Sequence, residues 1–143
     1  MTDAYALLLQ DRFPWERWER LILSEGIVLD RPRETPHPRY PDIIYPMDYG
    51  FVRNTISSDG SGVDVFVGSG RERLAGMIVT RDYRQGDREI KFLWRCLPTE
   101  IYLAHGFINF DPSKLKGRLI LRFPMKILWE MQGQRIEHSE NLP

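Results

Sequence analysis

The chain has 143 residues, enough for one domain with a substantial buried core. Its 20 basic and 20 acidic side chains balance, so its charge does not favour a nucleic-acid or membrane-surface binder. One cysteine excludes an internal disulfide, and no apolar run approaches the roughly 18 residues of a membrane span. With no signal-peptide pattern at its start, we expect a cytoplasmic protein with no nucleic-acid or membrane partner, folded as one domain over residues 1–143.

Residues 1–26 are predicted to form a helical segment that packs on the rest of the domain. Trp15 and Trp18 begin an apolar series at three- and four-residue steps, with charged residues between them. Pro14 suits the first turn of a helix and Gly26 suits a C-cap. A tryptophan stripe of this spacing is typical of core packing or of an interface with a partner.

Short runs of β-branched and aromatic residues, bounded by turn residues, predict five strands at residues 27–31, 49–53, 64–67, 74–81 and 88–95. Pro98 begins a helix with an apolar face; Lys116-Gly117 reads as a turn, 119–123 as a further strand and 127–131 as a last helical turn or strand. The predicted fold is mainly β (α+β): a small OB-like closed barrel of five strands with an N-terminal helical segment and one or two C-terminal helices.

Two aspartates flank the polar turn before the strand at 64–67. Asp64 lies inside an otherwise apolar strand, where a charge is costly unless it is paired or bound to a metal. Asp59 stands five residues earlier, so the pair suggests a site for a hard cation. A solvated turn in which Asp59 forms an Asx-turn is the alternative.

A second acidic pair occupies the turn of a predicted β-hairpin. Asp82 and Asp87 stand five residues apart around a glycine, between the strands at 74–81 and 88–95. Two acidic turn-strand units in so small a chain could converge on one site.

The segment 31–42 contains four prolines, which exclude regular structure. It also carries Arg31, Arg33, His37 and Arg39. Guanidinium groups on a stiff loop beside a metal site could hold phosphate oxygens, and a solvated loop is the alternative.

Residues from about 27 to 95 resemble the family I soluble inorganic pyrophosphatases. That family shows a Tyr-Pro and Tyr-Gly-aromatic run, an Asp-x-Asp-Pro-x-Asp loop and an Asp-x4-Asp-x-Lys hairpin. The residues that carry the resemblance are Tyr45-Pro46, Tyr49-Gly50-Phe51, Asp59, Asp64, Asp82 and Asp87, with Asp30 and Arg39-Tyr40 as weaker matches.

The chain also departs from this pattern. Ser61 and Gly62 replace the loop's middle aspartate and its proline, and Glu89 replaces the hairpin's lysine. Only residues 41–44 stand where the family has an arginine-bearing hairpin. Because alternate strand residues share a face, Lys91 could act in place of the missing lysine.

The resemblance implies a catalytic set of Asp59, Ser61, Asp64 and Tyr49. It implies that Mg²⁺, or Mn²⁺, is held by Asp59, Asp64, Asp82 and Asp87, with Asp30 as an outer candidate. It implies that phosphate oxygens are bound by Arg39, Tyr49 and Lys91.

The function predicted in this way is Mg²⁺-dependent hydrolysis of pyrophosphate, or a related phosphoanhydride, to phosphate by a metal-activated water. We expect a small-molecule phosphate substrate and a homo-oligomer. Two alternatives stay open: an inactive barrel that binds a metal or phosphate ligand, and a domain that binds a protein partner through its Trp15–Trp18 helix.

Overall fold

The computed structural model of the chain describes residues 10–57, 60–82 and 88–131, and for Asp82 the backbone alone. Its elements in chain order are α1 (Trp15–Glu25), β1 (Ile27–Arg31), β2 (Asp48–Val52), β3 (Asp64–Val67), β4 (Leu74–Asp82), β5 (Arg88–Trp94), α2 (Pro98–Ile108) and β6 (Leu115–Leu121). Residues 10–12 and 125–131 are also helical. Within the described ranges, no helix combines the length and apolar character needed to cross a lipid bilayer.

The strands form one mixed sheet of six, in the order β1-β2-β3-β5-β4-β6. Only β3 and β5 run parallel, and the other neighbours are antiparallel. The predicted mainly β, mixed α+β class is confirmed. The predicted closed barrel of five strands does not form: β1 and β6 are the edges, and no strand pairing among the described residues joins them.

The sixth strand explains the difference from the predicted barrel. Lys116-Gly117 is not a turn, because β6 begins at Leu115 and pairs with β4 antiparallel. A Cβ on Gly117 would lie 2.5 Å from Ile78 Cγ2, so the glycine permits close packing instead of a reversal of the chain. By pairing with the free edge of β4, β6 occupies the edge that barrel closure would need.

Side chains alternate along the strands and build a separate core on each face of the sheet. On one face, Trp15 and Ile22 of α1 join Phe92. On the other face, Ile101 of α2 joins Phe66 and Leu93. The candidate functional site lies on this second face.

Helix α1 has the limits that the sequence predicts. It starts directly after Pro14 and ends at Gly26, where φ is 84° and the N–H donates to the carbonyl of Ile22 at 2.8 Å. Trp15 is buried, and the Trp18 ring lies 4.9 Å from the Phe92 ring. Trp15 and Trp18 thus pack against the sheet, while residues 1–9 of the predicted helical segment lie outside the described residues.

Candidate functional site

A cavity of about 580 Å³ opens on the α2 face of the sheet. It lies between the loop that follows β1, the strands β2 and β5, and the chain that follows α2. Basic, aromatic and aliphatic side chains and two carboxylates line it: Arg31, His37, Arg39, Tyr40, Asp42, Ile43, Ile44, Tyr45, Tyr49, Lys91, Phe107, Ile108, Phe110, Asp111, Lys114 and Leu115.

The proline-rich loop forms one wall of the cavity by folding back on itself. The Tyr45 N–H donates to the carbonyl of Thr35 at 3.0 Å. The His37 N–H donates to the carbonyl of Ile43 at 2.8 Å. Because prolines supply no backbone donors and have fixed φ angles, these bonds hold a stiff tip, and its side chains stand over the cavity.

Arg31 and two tyrosines form the wall that β1 and β2 supply. The Arg31 guanidinium hydrogen-bonds to the Tyr45 hydroxyl and lies 5.2 Å from the Tyr45 ring centroid and 6.0 Å from that of Tyr49. β1 approaches β2 so closely that a Cβ on Gly50 would lie 1.9 Å from the carbonyl oxygen of Val28. The glycine of the Tyr-Gly-Phe step is therefore required for this wall to form.

Lys91 lies at the floor of the cavity. Its Nζ donates to the Tyr49 hydroxyl at 2.8 Å and to Asp64 Oδ2 at 2.6 Å, and it lies 3.9 Å from Glu89 Oε2. The parallel pairing of β3 with β5 sets Asp64 opposite Lys91. Asp64, Glu89 and Lys91 thus share one face of the sheet.

The ammonium of Lys91 is buried, with 8% of the residue exposed. A buried charge is stable only with partners, and here the Asp64 carboxylate and the Tyr49 hydroxyl provide them. An ammonium group has three N–H donors, and two of them serve these partners, while Glu89 Oε2 lies within ion-pair distance of the same nitrogen.

The Tyr49 phenol is held in its protonated form. Burial raises its pKa well above 10.0, and the charge of Asp64 and a hydrogen bond with that carboxylate add to the effect, against a smaller opposing effect of Arg31. Tyr49 therefore serves this site as a hydrogen-bonding group instead of an anion.

The rim of the cavity is basic. Arg39 and Lys114 join Arg31 and Lys91 in its lining, where these four cations outnumber the carboxylates of Asp42 and Asp111; Asp111 lies 3.9 Å from Lys114. Partial burial, and then the charges of Arg31 and Arg39, lower the pKa of His37, whose Nδ1 accepts the Arg39 N–H at 3.0 Å. A concave site with several guanidinium and ammonium groups attracts anions, and phosphate oxygens suit both groups.

The structure brings some of the predicted site residues together and separates others. Tyr49, Lys91 and Arg39 line the cavity, and Asp64 contacts Lys91. Ser61 is exposed on its turn and is not part of the cavity lining. Asp59, Asp87 and the side chain of Asp82 lie outside the described residues, so their predicted roles remain predictions. Asp30 is exposed on β1.

The described residues do not by themselves fit a magnesium site. Within the described ranges, no three His, Cys, Asp or Glu side chains group closely enough to hold a metal ion. The Asp64 carboxylate is instead compensated by the Lys91 ammonium. A site with three or more carboxylate ligands here would need side chains outside the described set.

The cavity also contains residues that the sequence patterns did not single out. Phe107, Phe110 and Lys114 come from the chain around the end of α2, beyond the stretch that carries the family resemblance. No motif marks them, because their position depends on how α2 packs on the sheet.

No protein-family profile matches the sequence. No curated protein matches it either. Among solved structures, it is similar to an inorganic pyrophosphatase from Neisseria gonorrhoeae, with a TM-score of 0.51 and 17% identity over 66% of this chain and 81% of that chain. It is also similar to inorganic pyrophosphatases from Coxiella burnetii (TM-score 0.47, 16% identity, 73% of this chain and 90% of that one) and Thermus thermophilus (0.44, 17%, 73% and 84%). At such identities the first likeness shows a similar fold, and activity must be argued from the site.

Proposed function

We propose that this chain binds pyrophosphate, or a related phosphoanhydride, in the cavity and hydrolyses it to phosphate. The observation that carries the proposal is the buried ammonium of Lys91, bonded to Tyr49 at the floor of a cavity with a basic rim. The fold likeness to the Neisseria gonorrhoeae pyrophosphatase supports it by analogy.

The roles of the cavity residues follow from their chemistry. Lys91 offers its third N–H to a phosphate oxygen, and Arg31 and Arg39 can each form paired hydrogen bonds to phosphate. Tyr49 holds Lys91 in place without adding negative charge, because its phenol stays protonated. Together these groups bind and orient a polyanion.

Dependence on Mg²⁺, or Mn²⁺, is a separate prediction from the family resemblance. It requires Asp59, Asp82 or Asp87 to join Asp64. The family hairpin ends in an aspartate that stands two residues before its lysine. In β5, Glu89 and Lys91 have this spacing, so we also infer that Glu89, and not Asp87, corresponds to the family's second hairpin aspartate.

The metal prediction is tested by thermal melting. A ligand that binds only the folded state raises the melting temperature, so millimolar Mg²⁺ or Mn²⁺ should do so. Asp64→Asn and Glu89→Gln should each remove most of the gain. An unchanged melting temperature in both metals would count against any metal site.

One alternative function has specific support. A catalytically inactive protein that binds a phosphate ligand would have Asp64 engaged by Lys91 and a serine at the exposed position 61, as observed here. Such a protein would bind phosphate compounds without releasing phosphate from them.

The deciding experiment measures binding and hydrolysis together. Calorimetry with imidodiphosphate, a non-hydrolysable analogue of pyrophosphate, reports binding, and phosphate release from pyrophosphate reports hydrolysis, each with Mg²⁺ and with a chelator. Arg39→Ala should weaken both, whereas Arg53→Ala, an exposed arginine outside the cavity lining, should change neither. Binding without release identifies the inactive binder, and absence of binding contradicts both functions.

A further inference from the structure

The cavity is larger and less polar than pyrophosphate requires. Pyrophosphate is a small and wholly polar anion, whereas about 580 Å³ lies within the range of sites that hold organic ligands of drug size. Basic groups explain only part of the lining. Apart from Asp42 and Asp111, the remainder is aromatic and aliphatic, and a bare phosphoanhydride would leave that part in contact with water.

Three of the ten large apolar side chains that are exposed among the described residues line this cavity. Among the described residues, Phe110 is 84% exposed, Ile44 is 48% exposed and Tyr40 is 41% exposed, and all three line it. Large apolar side chains left in water around a concave site are typical of a surface that a ligand covers.

Tyr45 joins the basic part of the cavity to the apolar part. Its hydroxyl hydrogen-bonds to Arg31, while its ring lies 4.9 Å from the Phe107 ring at an angle of 47°. One side chain thus contacts a phosphate-binding cation at one end and the aromatic wall along its ring. A ligand that lies along the Tyr45 side chain would need an anionic group near Arg31 and an apolar group near Phe107.

We propose that the cavity takes a diphosphate monoester with a large apolar group: the diphosphate binds at Arg31 and Lys91, and the apolar group lies against Tyr40, Phe107 and Phe110. This inference rests on the proposed function, because it assigns the substrate class of the same site. Hydrolysis of such a compound adds water across its P–O–P bond and yields an organic monophosphate and orthophosphate.

Two sources share this chemistry, a nucleoside diphosphate with an aromatic base and an isoprenoid diphosphate with an aliphatic chain. We therefore compare ADP, geranyl diphosphate and pyrophosphate by calorimetry, with Mg²⁺ and with a chelator. At least one organic diphosphate should bind about tenfold more tightly than pyrophosphate, because its apolar group covers surface that is now exposed. The organic diphosphate that binds more tightly identifies the source.

Variants separate this inference from the proposed function. Phe110→Ala and Ile44→Ala should each reduce the affinity for the preferred organic diphosphate several-fold and leave that for pyrophosphate unchanged. Tyr102→Ala is the matched control, since Tyr102 is an exposed aromatic residue of α2, 60% exposed, outside the cavity lining.

Each result has one meaning. The substrate class is overturned, and the proposed function stands, if pyrophosphate binds as tightly as the tighter-binding of the two organic compounds. The same holds if Phe110→Ala and Ile44→Ala leave every affinity unchanged. If none of the three compounds binds, or if Arg39→Ala and Lys91→Met leave binding intact, the proposed function fails and this inference with it.

Discussion

The two faces of the sheet are built from the same strands and differ in how their surface is filled. On the α1 face, Phe92 is fully buried beneath Trp18, and apolar side chains occupy the space. On the α2 face, Asp64 and Lys91 lie beside the core residue Tyr49, and a cavity remains open above them. Ionisable groups inside a sheet cost stability, and the face that keeps them beside an opening is the one on which we propose that a ligand binds.

Among the described residues, each face also has a short ion pair of low exposure, and the two pairs occupy different surroundings. On the α1 face, the Arg122 guanidinium lies 2.5 Å from Glu19 Oε2, an oxygen that also accepts the Leu74 N–H at 3.2 Å. This pair joins the helix to the edge of the sheet. On the α2 face, the pair of Lys91 and Asp64 lies beneath the cavity. The first pair fastens elements together, and in the proposed function the second presents a charge to a ligand.

The largest effect is expected on the α1 face. Phe92→Ala should reduce the free energy of unfolding by about 3–5 kcal/mol, because it removes a fully buried ring in contact with Trp18 and leaves a cavity. Urea denaturation measures the loss. The affinity of the folded fraction for imidodiphosphate should stay unchanged, and a weakened affinity would contradict the separation of the two faces.

Lys91→Met should cost less stability and change binding. The uncompensated Asp64 carboxylate costs about 2–3 kcal/mol, below the value for a fully buried pair because 22% of the Asp64 side chain is exposed. Affinity for imidodiphosphate should fall by at least about tenfold, since a hydrogen bond between charged groups is lost.

Glu19→Gln is the matched control for Lys91→Met, since it weakens the ion pair of the other face. It should cost about 1.5 kcal/mol of stability and leave affinity unchanged. If the two variants affected binding equally, the assignment of different roles to the Arg122–Glu19 pair and the Lys91–Asp64 pair would be wrong.

How much the sequence predicted differs between the two faces for a physical reason. Helix α1 could be read from local signals, since the spacing of Trp15 and Trp18 and the positions of Pro14 and Gly26 depend only on nearby residues. Gly117 was misread because its lack of a side chain serves contact with Ile78, and that contact depends on long-range pairing.

On the α2 face, the sequence identified Tyr49, Arg39 and Lys91 through the family resemblance, but it could not predict their arrangement. The ion pair of Lys91 with Asp64 exists because β5 inserts between β3 and β4, a topology that no local pattern encodes. The sequence therefore predicted Asp64 as a metal ligand without revealing the cation beside it.

A smaller effect should appear at alkaline pH, on the cavity face alone. Because the folded protein keeps the Tyr49 proton above pH 10 and the unfolded chain does not, this group stabilises the fold fully below pH 10, and its contribution is lost as pH rises through the folded-state pKa.

The stability difference between the native protein and Tyr49→Phe should therefore fall by about 1.4 kcal/mol per pH unit above pH 10. Urea denaturation at several alkaline pH values measures it, and the other tyrosines cancel in the difference. A difference that stays constant with pH would show that the buried network around Lys91 does not hold the phenol protonated.

The smallest change in stability, and the sharpest test of function, comes from Ser61→Asp. Ser61 is exposed, and its carbonyl accepts the Ser57 N–H at 2.6 Å, a backbone bond that an aspartate would keep. Stability should thus change by no more than about 0.5 kcal/mol. A functional response cannot then be ascribed to unfolding.

If the chain is a hydrolase of the pyrophosphatase type, a carboxylate at position 61 adds a general base to the turn. Phosphate release from pyrophosphate should then rise by about tenfold, below the range for a well-placed base because Ser61 lies outside the cavity lining. Thr99→Asp, which adds the same charge at an exposed position of α2, should leave the rate unchanged. If the chain is a binder, Ser61→Asp leaves release at background while imidodiphosphate still binds, because one carboxylate cannot free Asp64 from Lys91. That result would assign the open face of the sheet to recognition without catalysis.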